Sequence, residues 1–441
     1  MKTISLRPFP LRILFLLATV AGLGALSWLV VRTAIGDSVM TFVERNPNLS
    51  SQARLEGADA AVSSAGRDPL MHLGRGGVYL AAANEEQNEA QLATALAELR
   101  TAAAMTPEDY RAWMALGRAL DRGGAAADAK AALERAVSLA PRHFDPRWAL
   151  ANHLLRAGER DAAFAEFRQA LAARPSALPL VFDYAWDSFQ KDGQGDGRAI
   201  AAAIAPASES KAQLIALLVA RNRFADAVAV WRETPQRSEA DALQVSTALF
   251  NTKQMAAAYE VWSSIPSANR PVPDADSLLA NGDFEKPLTL NSTVPFLTWI
   301  IQPISGIKAS PDRKEPRAGR QSLLLSFAVG GNIPFTAVSQ TVPVKPATSY
   351  LLSYAVRTEE LKSLSMPFIE VVDAAAANRF RAAAPLSSGT EDWKPQGIKF
   401  TTDAKTEAVT VRIQRQPCTE APCPVNGRVW FDVFKLKEAG R

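Results

Sequence analysis

The sequence predicts a multidomain chain of three parts: a transmembrane helix, an all-α repeat array and an all-β sandwich. Three observations carry this. An uncharged run from Ile13 to Val31 stands near the start. Apolar residues and prolines then recur with a period of 34 residues through the middle. Beyond Ser267, short alternating runs between turn residues replace the helical periodicity. A length of 441 residues suits two or three domains. The net charge of +4 is spread along the chain, which gives nucleic-acid binding little support. With two cysteines, a disulfide-dense scaffold and a Cys-rich metal site are both excluded.

The uncharged run spans about 28 Å as a helix, close to the hydrocarbon core of a bilayer. Residues 1–12 are read as a cytoplasmic tail and 13–32 as the anchor. Lys2, Arg7 and Arg12 precede the run, whereas Arg32, Asp37, Glu44 and Arg45 follow it with mixed sign. The positive-inside rule then places the N-terminus in the cytoplasm and the bulk of the chain across the inner membrane, in a single pass. A cleaved signal peptide is the competing reading. Its apolar core is usually about 7–15 residues long and ends at a small-x-small site, which this run lacks. Residues 33–68 read as a juxtamembrane connection. In it the helical pattern continues through Val43, Asn46-Pro47-Asn48 breaks it, and a polar helix precedes Asp68-Pro69.

Residues 69–266 read as the helical array. Trp113, Leu116, Gly117, Leu120, Ala129, Leu133, Ala136 and Pro141 are matched 34 positions later by Arg147, Leu150, Ala151, Leu154, Ala163, Phe167, Ala170 and Pro175. A weaker set lies 34 positions earlier and ends at Pro107. Large apolar residues fill the space between two antiparallel helices, small ones let the helices approach, and the proline ends the second helix. The pattern resembles the tetratricopeptide repeat (TPR). Shortened units ending at Pro235 and Pro266 follow, giving five or six in all. The resemblance implies a superhelix whose concave groove holds a partner protein. By resemblance the groove residues are Asn84, Arg111, Arg118, Arg122, Trp148, Asn152 and Arg156. A solvated face, with Trp148 packed against its neighbour, is the alternative.

Residues 267–277, rich in Pro, Ser, Asn and Asp, read as a linker, and 278–438 as the sandwich. Strands are expected at Ser322–Phe327, Ala337–Val342, Tyr350–Val356, Phe368–Val372, Gly397–Thr401, Ala408–Ile413 and Val429–Leu436. Asn281-Gly282-Asp283-Phe284-Glu285, Trp299, Gly319–Leu323, Val338–Tyr354, Trp393 with Phe400, and Val429–Val433 fall in the order found in carbohydrate-binding modules with a galactose-binding-like jelly roll. The likeness covers nearly all of the C-terminal part. It makes Asn281–Glu285 the opening strand. It makes Trp299, Phe335, Tyr354 and Trp393 candidates for stacking on sugar rings, unless the sandwich core takes them, as relatives place Trp393 and Trp430. It also suggests a structural Ca²⁺ with Glu285 and Asp432 among its ligands, although two carboxylates are short of the six to eight oxygens needed. Cys418 and Cys423 would close a small disulfide loop on the oxidising side of the membrane and remain thiols on the other.

No HExxH, GxSxG or phosphate loop occurs, so no enzyme is expected. The expected role is that of a scaffold in a bacterial-type envelope: the array binds an envelope protein and the sandwich a glycan or second protein, in the assembly or export of cell-surface polysaccharide. A lectin-like protein with the array as spacer is the competing reading.

Overall fold

The structure is a computed structural model that describes residues 9–191, 193–204, 208–234, 237–290, 294–419 and 422–440. Lys2, Arg7 and Pro235, on which part of the sequence analysis rests, lie outside the described residues. The chain divides into two compact units, one running to Gly195 and including residues 202–204, the other comprising residues 196–201 and everything from Ala205.

The first unit is helical. Its helices are α1 (Phe9–Arg45), α2 (Ser51–Ala65), α3 (Pro69–Glu86), α4 (Glu89–Met105), α5 (Tyr110–Arg122), α6 (Ala126–Leu139), α7 (Phe144–Arg156), α8 (Arg160–Ala173) and α9 (Leu178–Ser188). Two short strands, β1 (Gln190–Lys191) and β2 (Gln194–Gly195), close it. Side-chain caps on Ser50, Asp68, Asn88 and Asp109 satisfy free N–H groups at the starts of α2 to α5. The ends before Pro107, Pro141 and Pro175 are alike: the backbone N–H of Thr106, Ala140 and Arg174 each returns to a carbonyl four residues back.

The long apolar helix departs from expectation in one respect. From Arg12 to Arg32 its side chains are exposed, as a lipid-facing surface would be, but Gly36, Met40 and Val43 are buried against α2. A Cβ at Gly36 would lie 2.7 Å from the Ala65 Cβ, so the two helices meet there only because the residue is glycine. Met40, Ala58, Ala61, Ala65 and Met71 form one core with α3. Residues 33–68 thus hold the two helical stretches and the break expected of them, and the two stretches pack together as a hairpin continuous with the apolar helix.

The second unit contains α11 (Ser208–Ala220), α12 (Phe224–Arg232), α13 (Glu239–Asn251) and α14 (Met255–Ser263), after α10 (Gly197–Ile204), which straddles the two units. Strands β3 (Thr289–Leu290), β4 (Ile300–Ile301), β5 (Ile307–Asp312), β6 (Ser322–Val329), β7 (Phe335–Pro343), β8 (Ser349–Ser363), β9 (Phe368–Asp373), β10 (Arg381–Pro385), β11 (Gly389–Thr401), β12 (Ala408–Arg415) and β13 (Val425–Glu438) follow. They form a sheet in the order β10-β9-β12-β7-β4-β3 and another in the order β11-β8-β13-β6-β5. All pairings are antiparallel except β3 with β4. Each of the seven strands expected between Ser322 and Leu436 falls within an observed one. Asn281–Glu285 does not form a strand: the Asp274 carboxylate takes the N–H groups of Asn281 and Gly282, and left-handed Asn281 and Phe284 make it a turn.

The segment expected to be a linker is built into this unit. Besides the Asp274 cap, Asp276 pairs with Lys435 and Lys437, and the Leu278 N–H donates to the Leu436 carbonyl. Phe296, fully buried, inserts among Phe250, Tyr259 and Trp262 with ring centroids 5.3–5.8 Å away. The Glu407 carboxylate accepts the Ala256 N–H at the start of α14, where the helix dipole favours an anion.

Candidate functional site

The groove is built from the first helices of three successive hairpins. Leu80 and Asn84 come from α3, Met114, Arg118 and Asp121 from α5, and Asp145, Trp148, Ala149, Asn152 and Arg156 from α7; together they line about 410 Å³. Spacings of three and four residues place each set on one helix face. Five expected groove residues thus meet: Asn84, Arg118, Trp148, Asn152 and Arg156. Arg122 stands beside them, donating to Asn84 Oδ1 at 3.1 Å and Gln87 Oε1 at 2.8 Å. Arg111 does not line the groove, because its guanidinium folds back onto Asp109, the N-cap of its own helix, at 2.7 Å.

The groove is partly pre-set by charge. Burial opposes ionisation of Asp121, but hydrogen bonds from His153 and Arg156 prevail and hold its carboxyl below the usual range. Asp121 thereby ties α5 to α7. Arg118 is exposed and has no ion pair among the described residues. Trp148 is half-buried, stacking on Phe144 and Tyr184 and meeting Phe167 edge-on at 5.1 Å. It thus packs against its neighbours and also lines the groove.

On the sandwich the expected sugar platforms are corrected. Trp299, Phe335 and Tyr354 are at most 7% exposed. Trp299 donates its indole N–H to the Asn281 carbonyl at 3.0 Å and packs on Phe284 and Phe434. Phe335 stacks on Phe327 and Tyr354 on Phe434. Burial pushes the Tyr354 phenol up to about 12. These rings lie in the core and leave no face for a pyranose. Trp393 remains partly exposed, its indole N–H on the Glu315 carbonyl at 3.1 Å.

The suggested calcium ligands have other work. Asp432 Oδ2 accepts the N–H groups of Arg317 and Ala318, both at 3.0 Å. Burial raises its carboxyl above the ordinary range. Glu285 Oε1 accepts the N–H groups of Arg320 at 2.6 Å and Gln321 at 3.0 Å, which hold that carboxyl low. The turn closes this tightly because Gly319 has φ +70° and a Cβ there would sit 2.3 Å from Glu285 Oε1. Lone pairs that a cation needs are thus given to N–H donors. Among the described residues no group of three or more His, Cys, Asp or Glu side chains gathers around a common point. The donor set does not fit a calcium shell.

Cys418 and Cys423 are disulfide-bonded. Their loop is also held by Asn332, whose amide exchanges two hydrogen bonds with the Cys418 backbone, and by buried Arg415, which donates to the Cys423 carbonyl at 2.6 Å.

One long apolar N-terminal helix, tandem helical hairpins with a 34-residue repeat and a two-sheet, largely antiparallel sandwich define the class of this chain. No protein-family profile matches it, and no curated protein does. Solved structures similar to parts of it include a "Family 16 Carbohydrate Binding Module-2", 21% identical over 36% of this chain and 99% of that one, with a TM-score of 0.25. "MamA protein" is 16% identical over 46% of this chain and 92% of its own, with a TM-score of 0.30. TTC0263, "a thermophilic TPR protein" of Thermus thermophilus, is 19% identical over 50% of this chain and 98% of its own, with a TM-score of 0.27.

Proposed function

We propose that this chain is a non-catalytic scaffold of the cell envelope, held in the inner membrane by α1 with its bulk outside the cytoplasm. The groove of the helical array binds an envelope protein, and the sandwich binds a glycan, in the assembly or export of cell-surface polysaccharide. The observation that carries this reading is the groove itself. It combines a partly exposed tryptophan with an arginine that has no ion pair among the described residues, on a backbone fixed by the Asp121 bridge, the mixture of anchor and polar contacts that concentrates binding energy. The mixed charge after the apolar run supports the topology.

The test uses the full chain in its native membrane. A photo-reactive residue in place of Met114 should cross-link one defined envelope protein. Arg118→Ala combined with Trp148→Leu should reduce that cross-link at least about ten-fold, the scale of a lost hot spot. Undiminished capture by the double variant, still folded, would remove the groove from the account. A topology reporter fused after Arg441 should be active outside the cytoplasm, and cytoplasmic activity would overturn the localisation.

A further inference from the structure

We propose that the loop between β5 and β6, residues 313–320, is a binding site for an acidic polysaccharide. Arg313, Lys314 and Arg317 take its carboxylates, and Trp393 takes a sugar face. This deepens, and rests on, the reading of the sandwich as the glycan-binding part.

The loop runs Arg313-Lys314-Glu315-Pro316-Arg317-Ala318-Gly319-Arg320, with four cations and one acid. Its backbone is held at every stage. Asp312 Oδ1 accepts the Lys314 N–H at 3.1 Å, Asp432 takes those of Arg317 and Ala318, and Glu285 takes that of Arg320. The Glu315 carbonyl receives the Trp393 indole, and the Glu315 carboxylate is paired with Arg357 from β8. The surrounding acids are therefore spent on backbone N–H groups, on the sheet or, for Asp312 Oδ2, on the Trp430 indole. They leave the loop's side chains largely uncompensated. Arg313, Lys314 and Arg317 are exposed and form no ion pair among the described residues, Arg313 Nε donating only to the neutral Gln321 Oε1 at 3.4 Å; Arg320 reaches Glu285 at 3.4 Å.

A fixed backbone bearing cations without a carboxylate partner lowers the ordering cost of binding an anion. The chemistry of that anion follows from Trp393. A uronic acid ring presents an apolar C–H face and an edge carboxylate, which match an indole beside guanidinium groups. No large apolar side chain of this loop is exposed, which disfavours insertion into a lipid surface.

The full-length protein in lipid nanodiscs would be titrated with a galacturonate oligomer, a neutral galactose oligomer of the same length, and polyglutamate. The galacturonate oligomer should bind, more weakly as salt rises, and at least about ten-fold more tightly than the neutral oligomer, as expected of charge-assisted hydrogen bonds. Arg313→Ser/Lys314→Ser/Arg317→Ser should lose at least about ten-fold in affinity. Trp393→Leu should lose several-fold while remaining folded, and the triple variant should unfold at the parent temperature. Parental affinity in the folded triple variant would overturn the site. Equal affinity for the two sugar oligomers would overturn the charge reading while leaving the sandwich a glycan binder; binding of neither by the folded protein would overturn both. Polyglutamate bound as tightly, and indifferently to Trp393→Leu, would overturn the sugar in favour of an acidic protein segment.

Discussion

At the scale of single residues, repeat position explains substitutions that composition does not. Trp113 and Arg147 occupy equivalent sites and look unrelated, yet each donates a side-chain N–H to the carbonyl of the proline that ends the preceding unit, at 2.9 and 2.6 Å. Arg147 adds a pair with Glu166 at 2.6 Å. The groove residues were legible because a helix fixes the face of every residue once the period is known. The sandwich aromatics were not, because neither strand register nor the crossing of loops over a sheet is written locally. Tyr354 shows the consequence, since its burial in place of exposure makes its ionisation unfavourable. Its folded pKa is pushed up to about 12 from an ordinary 10. The stability this represents is fully present below pH 10 and is lost as pH rises towards 12, at up to about 1.4 kcal/mol per pH unit. Tyr354→Phe should therefore flatten the alkaline fall of the unfolding free energy, measured by denaturant titration from pH 9 to 11.5. An unchanged slope would mean that the phenol is hydrated.

At the scale of elements, the helices and most strands followed from periodicity, and the exceptions have physical causes. Strands β3 and β4 are two residues each, too short to show an alternation, while β5 (Ile-Lys-Ala-Ser-Pro-Asp) and β10 (Arg-Ala-Ala-Ala-Pro) carry small residues and proline in place of an alternating apolar pattern. The two helices within 33–68 and the break between them were legible, but their packing was not, because the stripe of Gly36, Met40 and Val43 continues directly from an apolar run that hides it. That hairpin makes α1 a packed helix beyond its exposed apolar stretch. Gly36→Leu should force α1 from α2, since the added side chain would meet Ala65 and the Ala61 carbonyl. Overpacking of this kind costs about 1–3 kcal/mol. Thermal unfolding in detergent should show the loss, while the apolar stretch above Arg32 still inserts. A variant as stable as the parent would show that the α1–α2 contact contributes little.

At the scale of the molecule, the second unit joins two kinds of structure that composition alone separates. Residues 267–277 look like a tether, because Pro, Ser, Asn and Asp also dominate unstructured segments. The same polar groups here are caps and ion pairs directed into the sandwich. A tether would let the last helices and the sandwich unfold independently, whereas Phe296 makes them share an aromatic core, and Glu407 joins the sandwich to the start of α14. Truncating a buried phenylalanine costs about 3–5 kcal/mol. In the full chain, Phe296→Ala should lower amide-exchange protection in α13 and α14 as well as around Trp299, because the cavity opens on both sides at once. A tethered sandwich would lose protection around Trp299 alone, and that outcome would return residues 267–277 to the role of a linker. Coupled loss would instead identify the sandwich as the terminal cap of the helical array, covering a last hairpin that would otherwise expose Phe250, Tyr259 and Trp262 to water.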